Sequence, residues 1–209
     1  MRKPIIFLFI PLAFLIPIIS GCSSPVSSSF TAFQRASLAE MNYARTQPAA
    51  YARDRLASFK NAGTDYGAYD DLTGRSAVCA LKLQSQLCTA ATDYAGVLAT
   101  NNTFGHEENG TTPVSRCAAA GYNTTYFFGE NLAGNGVAEC NADANPETAA
   151  IYFVRMLIID EGQSDLGHRK IIMYSGSSTV GVGFCHKAPT DDTNNKNYIN
   201  YCVQDFGLQ

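Results

Sequence analysis

An apolar run at the N-terminus decides how much of this 209-residue chain has to fold. Arg2 and Lys3 give a positive start, the run extends from Pro4 to Ile19, and Ser20, Gly21 and Cys22 supply small residues at a cut site. That succession describes an export signal. The run is short for a membrane span, and Pro4, Pro11 and Pro17 interrupt it. Residues 1–21 are therefore expected to be removed. Taking 21 from 209 residues leaves 188, one domain with room for a proper core.

The tetrapeptide Ile19-Ser20-Gly21-Cys22 resembles the lipobox of bacterial lipoproteins, in which cleavage before the cysteine leaves its sulfur lipidated. The alternative is an ordinary secretory signal with Cys22 as a spare thiol. The Ser-rich stretch from Ser23 to Ser29 reads as a tether and favours lipidation, so residues 22–31 are assigned to the tether and 32–209 to the domain. Several acyl chains would hold such a protein stably, each buried methylene contributing about 0.8 kcal/mol. The expected location is the bacterial cell envelope, at the outer membrane or the cell surface. Losing Arg2 and Lys3 takes the formal charge from −3 to −5. With no basic cluster, nucleic acid is not an expected partner, and a monomer is expected.

Six cysteines remain after Cys22: Cys79, Cys88, Cys117, Cys140, Cys185 and Cys202. An even number in an exported chain reads as three disulfides, each contributing roughly 2–4 kcal/mol. Many connectivities are open. Nearest-neighbour pairing gives Cys79–Cys88, Cys117–Cys140 and Cys185–Cys202, the last supported by a predicted hairpin of Val180–Lys187 and Tyr198–Phe206. A zinc cluster would want a C-x-x-C pair, and the chain has none.

Apolar spacing predicts a helix from Ala32 to Thr46, with Phe33, Ala36, Met41 and Ala44 on one side. Pro48 ends it and opens a second helix through Phe59. The Gly- and Asp-bearing stretch Asn61–Arg75 reads as a loop. A long helix is expected over Leu81–Thr100, a short one after Pro113, a strand over Tyr126–Asn131, and a helix from Pro146 capped by Asn145. Its buried face would be Ala149, Tyr152, Phe153, Met156 and Leu157, with a polar turn from Asp160 to Gly167 after it. Helices before, between and after strands suggest an α/β fold with a sheet covered on both faces.

Seven short motifs then follow in order. They are Asn42 with Arg45, Phe104 with His106, Pro113 with Arg116 and Gly121-Tyr122, and Gly129-Glu130-Asn131-Leu132-Ala133. Gly167-His168-Arg169, Val180-Gly181-Val182-Gly183 and Gln204-Asp205-Phe206-Gly207 complete the set. In this the chain resembles the CAP superfamily, or SCP domain, shared by cysteine-rich secretory proteins, venom allergen antigen 5 and plant pathogenesis-related proteins. Its bacterial branch is the nearest in pattern. The resemblance covers Phe33 to Gly207 and implies a three-layer α/β/α sandwich.

The same resemblance implies that His106, Glu130 and His168 line a cleft, often with a second acidic residue. Asp160 or Glu161 from the polar turn are the candidates for that fourth place. Two imidazoles and a carboxylate can hold zinc or another divalent metal and leave a position open for water. Without metal, Glu130 could orient a histidine, or the group could be a satisfied network tying loops over the sheet. His106-Glu107-Glu108 is not H-E-x-x-H, and no G-x-S-x-G occurs. The first expectation is a lipid-anchored, non-enzymatic binding module whose cleft takes a divalent metal, a lipid or a protein partner. The rivals are a protease-type hydrolase using His106, Glu130 and His168 to activate water, and a structural envelope protein with a vestigial cleft.

Overall fold

The computed structural model describes residues 30–163, 165–187 and 198–208. The expected signal, Cys22 and the Ser-rich part of the tether lie outside them. Of the tether only Phe30 and Thr31 are described, and Thr31 is already the cap of the first helix.

Helix α1 occupies Ala32–Thr46. A capping box starts it: Gln34 N donates to the Thr31 hydroxyl at 3.1 Å, and Thr31 N donates to the Gln34 side chain at 2.9 Å. After Pro48 comes α2 (Pro48–Tyr51), which runs through a π-helical turn (Ala52–Leu56) into α3 (Ala57–Ala62). The predicted loop at Asn61–Arg75 contains a helix instead, α4 (Ala68–Gly74). Its aspartates are helix-starting residues rather than loop residues. Asp65 accepts from Tyr69 N at 3.1 Å, Asp70 and Asp71 sit in the first turn, and Ala68 and Leu72 are fully buried.

The expected helix at Leu81 begins later. Lys82–Leu83 is a short strand, β1, parallel to a distant strand, and α5 occupies Ser85–Asn101. Helix α6 (Pro113–Ala119) has its own capping box at Thr112 and leads to strand β2 (Phe127–Asn135). Helix α7 spans Pro146–Ile159, although Asn145 makes no side-chain cap. It buries Ala149, Ala150, Phe153, Val154, Leu157 and Ile158, while Tyr152 and Met156 are only half-buried. A further helix, α8 (Gly167–Ile172), takes over where the polar turn was expected to lead straight to a strand. Strands β3 (Ser177–His186) and β4 (Asn200–Leu208) form the predicted antiparallel hairpin.

The sheet order is β1-β3-β4-β2, which places β2 at an edge. Alternation along the strands sends their side chains to two cores. Val180, Val182, Cys202, Phe206 and Ala133 pack with α1 and α7, and Leu132, Tyr201 and Val203 pack with α5. This is the α/β/α sandwich. Among the described residues no helix is long and apolar enough to cross a membrane.

The disulfide reading is overturned: all six cysteines in the described residues are free. Strand parity explains the hairpin pair. Cys202 stands opposite Phe184, and Cys185 opposite Tyr201, so Cys185 and Cys202 point to different faces of the sheet. Cys117 packs with Leu87 and Ala90 on the α5 side, whereas Cys140 lies in the α1–α7 core. Cys79 is exposed before β1 and Cys88 is buried on α5. Burial pushes the Cys88 thiol up to about 11 and raises Cys117, Cys140, Cys185 and Cys202 as well. These are core thiols, held as small apolar groups.

Candidate functional site

Two consecutive residues of the edge strand organise the site. On β2, Glu130 projects toward the α5 side and Asn131 toward the α1–α7 side, because successive strand residues alternate. Glu130 holds the first histidine and Asn131 anchors the second.

His106 lies in the loop after α5. Tyr94 on α5 fixes that loop by donating its hydroxyl to Gly105 O and accepting from Glu108 N at 3.0 Å. His106 Nδ1 is 2.8 Å from Glu130 Oε1. The other carboxylate oxygen, Oε2, accepts from Arg116 Nη2 at 2.6 Å. Arg116 on α6 also donates through Nη1 to His106 O at 3.0 Å, and its guanidinium lies 3.3 Å from the centre of the Tyr94 ring. One arginine thus holds both the histidine backbone and its carboxylate partner.

His168 stands at the second position of α8. Its Nδ1 is 2.7 Å from Asp160 Oδ1. Asp160 ends α7 in the left-handed region at φ 62°, which turns its carboxylate toward α8, and its Oδ2 accepts from Arg169 N at 3.2 Å. Arg169 is buried and closes the end of α7. Its Nε donates to Ile158 O at 2.7 Å and its Nη2 to Ile159 O at 3.1 Å. Asn131 Nδ2 donates to His168 O at 3.3 Å, which ties this second arm to β2.

Of the two acids of the polar turn, Asp160 is the one paired with a histidine. Glu161 accepts instead from the Tyr66 hydroxyl at 3.0 Å. The third histidine, His186, faces Asn200 at 2.9 Å and joins neither arm. The acids are sealed, with side-chain exposures of 1 % for Glu130 and 0 % for Asp160, while the imidazoles are reachable at 50 % for His106 and 23 % for His168. A carboxylate only accepts, so each Nδ1 carries the hydrogen of its bond, and Nε2 is the edge each ring offers outward. The structure makes two His–carboxylate pairs, His106 with Glu130 and His168 with Asp160. Among the described residues no group of three His, Cys, Asp or Glu side chains is placed to hold a metal ion.

Asp205 belongs to the first arm and was missed as a site residue, although the closing motif contains it. It faces Glu130 directly across the β2–β4 ladder and is 1 % exposed. Burial pushes its carboxyl well above the usual carboxylate range; the Glu130 charge raises it further and Arg116 opposes. An acid whose folded-state value is raised gives stability that is complete below its unfolded value, about 4, and is lost as pH climbs through the folded value. Asp205→Asn should thus gain on the wild type as pH rises. Denaturation midpoints of the two proteins, compared from acid to neutral pH, check this; a constant difference would contradict it.

A profile of the cysteine-rich secretory protein family, CAP, matches residues 38–206. Among curated proteins, no sequence match reached significance. Three solved structures are similar to the chain. An outer surface protein from Borrelia burgdorferi has 20 % identity and a TM-score of 0.43, over 63 % of this chain and 80 % of its own. An extracellular protein containing an SCP domain, from Bacillus anthracis, has 19 % identity and a TM-score of 0.43, over 63 % of this chain and 35 % of its own. A venom allergen-like protein from Schistosoma mansoni has 15 % identity and a TM-score of 0.43, over 86 % of this chain and 92 % of its own. With the family profile spanning the domain from α1 to β4, the chain belongs to the CAP, or cysteine-rich secretory protein, family.

Proposed function

We propose that this protein is a non-enzymatic binding module of the cell envelope, held there through a lipidated Cys22, and that the two histidine arms are its ligand site. The observation that carries this reading is the saturation of both acids. Glu130 spends one oxygen on His106 and the other on Arg116, and Asp160 spends its two on His168 and Arg169 N. Neither carboxylate keeps an oxygen free to take a proton from water, so a hydrolase would have to use the Nε2 lone pair of His106 or His168 as its base. The arms present Nε2 edges instead.

The ligand chemistry that suits such edges is a divalent transition metal such as zinc. A histidine ligand commonly gives its other ring N–H to a carboxylate, which is the arrangement in each arm. His106 and His168 would hold the ion, with water or donors of a protein partner completing its coordination. Two protein ligands imply weaker binding than a closed three- or four-residue site. Calorimetric titration of zinc into the detergent-solubilised full chain should give saturable heat and a raised melting temperature, both lost in His106→Ala/His168→Ala. Flat heats with the wild type would end the metal reading.

A second reading has its own observation. A groove of about 540 Å³ lies between α1 and α7, with Ala32, Ala36, Ala39 and Ile151 as its apolar lining and Arg35, Glu40, Tyr43 and Glu147 as its polar lining. Because α1 follows the tether directly, this groove would stay within reach of acyl chains. Organic extraction of the purified protein followed by mass spectrometry would show a carried lipid; an empty extract would count against it.

A further inference from the structure

A second pocket, of about 350 Å³, opens at the start of α5. Gln84 and Gln86 form one wall, Gly121, Tyr122, Asn123 and Tyr126 the other, and Thr179 and Leu208 lie where β3 begins and β4 ends. That volume is at the small end of the range of about 300–1,000 Å³ usual for small-ligand sites.

Its lining has no charged side chain, although the chain as a whole carries 33 Asp, Glu, Lys and Arg residues, 18 acidic and 15 basic. An ion would find no counter-charge, and an acyl chain would bury amides and phenols unpaired. What the lining offers is neutral hydrogen bonding beside aromatic rings. Each glutamine amide can donate and accept. Gln84 makes no side-chain cap to α5, and Gln86 accepts through its oxygen from the Ser85 hydroxyl at 3.0 Å. Thr179 Oγ1 is buried, with no hydrogen-bond partner among the described residues. Tyr126 keeps 44 % of its surface exposed.

Tyr122 is held in place by a missing side chain. A Cβ on Gly207 would lie 2.0 Å from the Tyr122 hydroxyl and 2.5 Å from Thr179 Oγ1, so glycine at 207 lets the phenol enter. Its hydroxyl then reaches Tyr126 O at 3.4 Å. The Tyr122 ring is thereby preorganised, which lowers the cost of ordering on binding.

From the uncharged polar lining, the glutamine amides and the exposed ring, we infer that this pocket binds a neutral sugar unit of a glycan. The apolar face of a pyranose stacks on Tyr126, and its hydroxyls exchange hydrogen bonds with the amides of Gln84 and Gln86. This site is separate from the histidine arms and needs none of their residues.

The test is saturation-transfer NMR on the detergent-solubilised full chain with two probes, maltotetraose and the tetramer of N-acetylglucosamine. At least one should receive saturation at millimolar concentration. Tyr126→Ala and Gln86→Ala, both at partly exposed positions, should each weaken that binding by about tenfold, equivalent to 1.4 kcal/mol. His106→Ala/His168→Ala should leave it unchanged, so failure of the metal reading and failure of this one are distinguishable. No transfer to either probe would overturn the inference. So would sugar binding that survives both pocket substitutions, or a tetrapeptide that binds where the sugars do not.

Discussion

Arg45→Met should cost about 4 kcal/mol or more of folding stability, lowering the urea midpoint with the slope unchanged. Arg45 is 0 % exposed, and its guanidinium is a junction for four backbone carbonyls. Nε donates to Cys79 O at 2.9 Å, Nη1 to Tyr174 O at 3.0 Å and to Ile172 O, and Nη2 to Ser177 O at 3.0 Å. These carbonyls come from the segment before β1, the end of α8 and the start of β3. Methionine fills much of the volume and supplies none of the donors, so each carbonyl is left to find water or go unpaired. Burial pulls the guanidinium down to about 10, which still leaves it charged at neutral pH. Arg45→Lys should recover only part of the loss, since an ammonium lacks the planar fork that spans these separate segments. A loss below about 1 kcal/mol in Arg45→Met would mean that water replaces the donors.

Gly183→Ala should be of similar size and act through a different mechanism. Helix α5 lies directly on β3, and a Cβ at Gly183 would sit 2.1 Å from the backbone carbon of Ala91. At Gly181 the same atom would be 2.0 Å from the backbone of Leu87. Backbone cannot rotate aside as a side chain can, so α5 has to lift from the sheet along with Tyr94, which fixes the His106 loop. The expected cost is about 3 kcal/mol or more, with lost near-ultraviolet dichroism. Gly96→Ala on the same helix is the control. Its Cβ meets nothing within 4 Å, and alanine in a helix is favoured over glycine by roughly 0.5–1 kcal/mol, so that variant should be more stable. If Gly183→Ala folds as well as the wild type, the close approach of α5 is wrong.

What could be read from the chain depended on length and locality. Helix α1 and the β3–β4 hairpin carry long periodic patterns and local end signals, and both were legible. β1 was not, because Leu83 continues the apolar spacing of Leu87 and Ala91 and only pairing with Val180 makes it a strand. Helix α4 was hidden by aspartates that serve its first turn, and α8 by a glycine start. The cysteines misled because nearness along the chain says nothing about which face of a sheet a residue occupies. His106, Glu130 and His168 were visible through their motifs, but not their division into two pairs. Asp160 and Glu161 looked equivalent until the left-handed turn at the end of α7 sent only the first toward His168. Asp205 looked like part of a closing strand; its partner Glu130 is 75 positions away and meets it only through sheet register.

The arms themselves can be read directly by long-range proton–nitrogen correlation NMR of the histidine rings in the full chain. Neutral His106 and His168 should both carry hydrogen on Nδ1 and a lone pair on Nε2. Glu130→Ala should change the His106 pattern alone, and Asp160→Ala the His168 pattern alone. Hydrogen on Nε2 in both rings, or a His106 pattern indifferent to the loss of Glu130, would contradict the paired-arm site on which the binding reading stands.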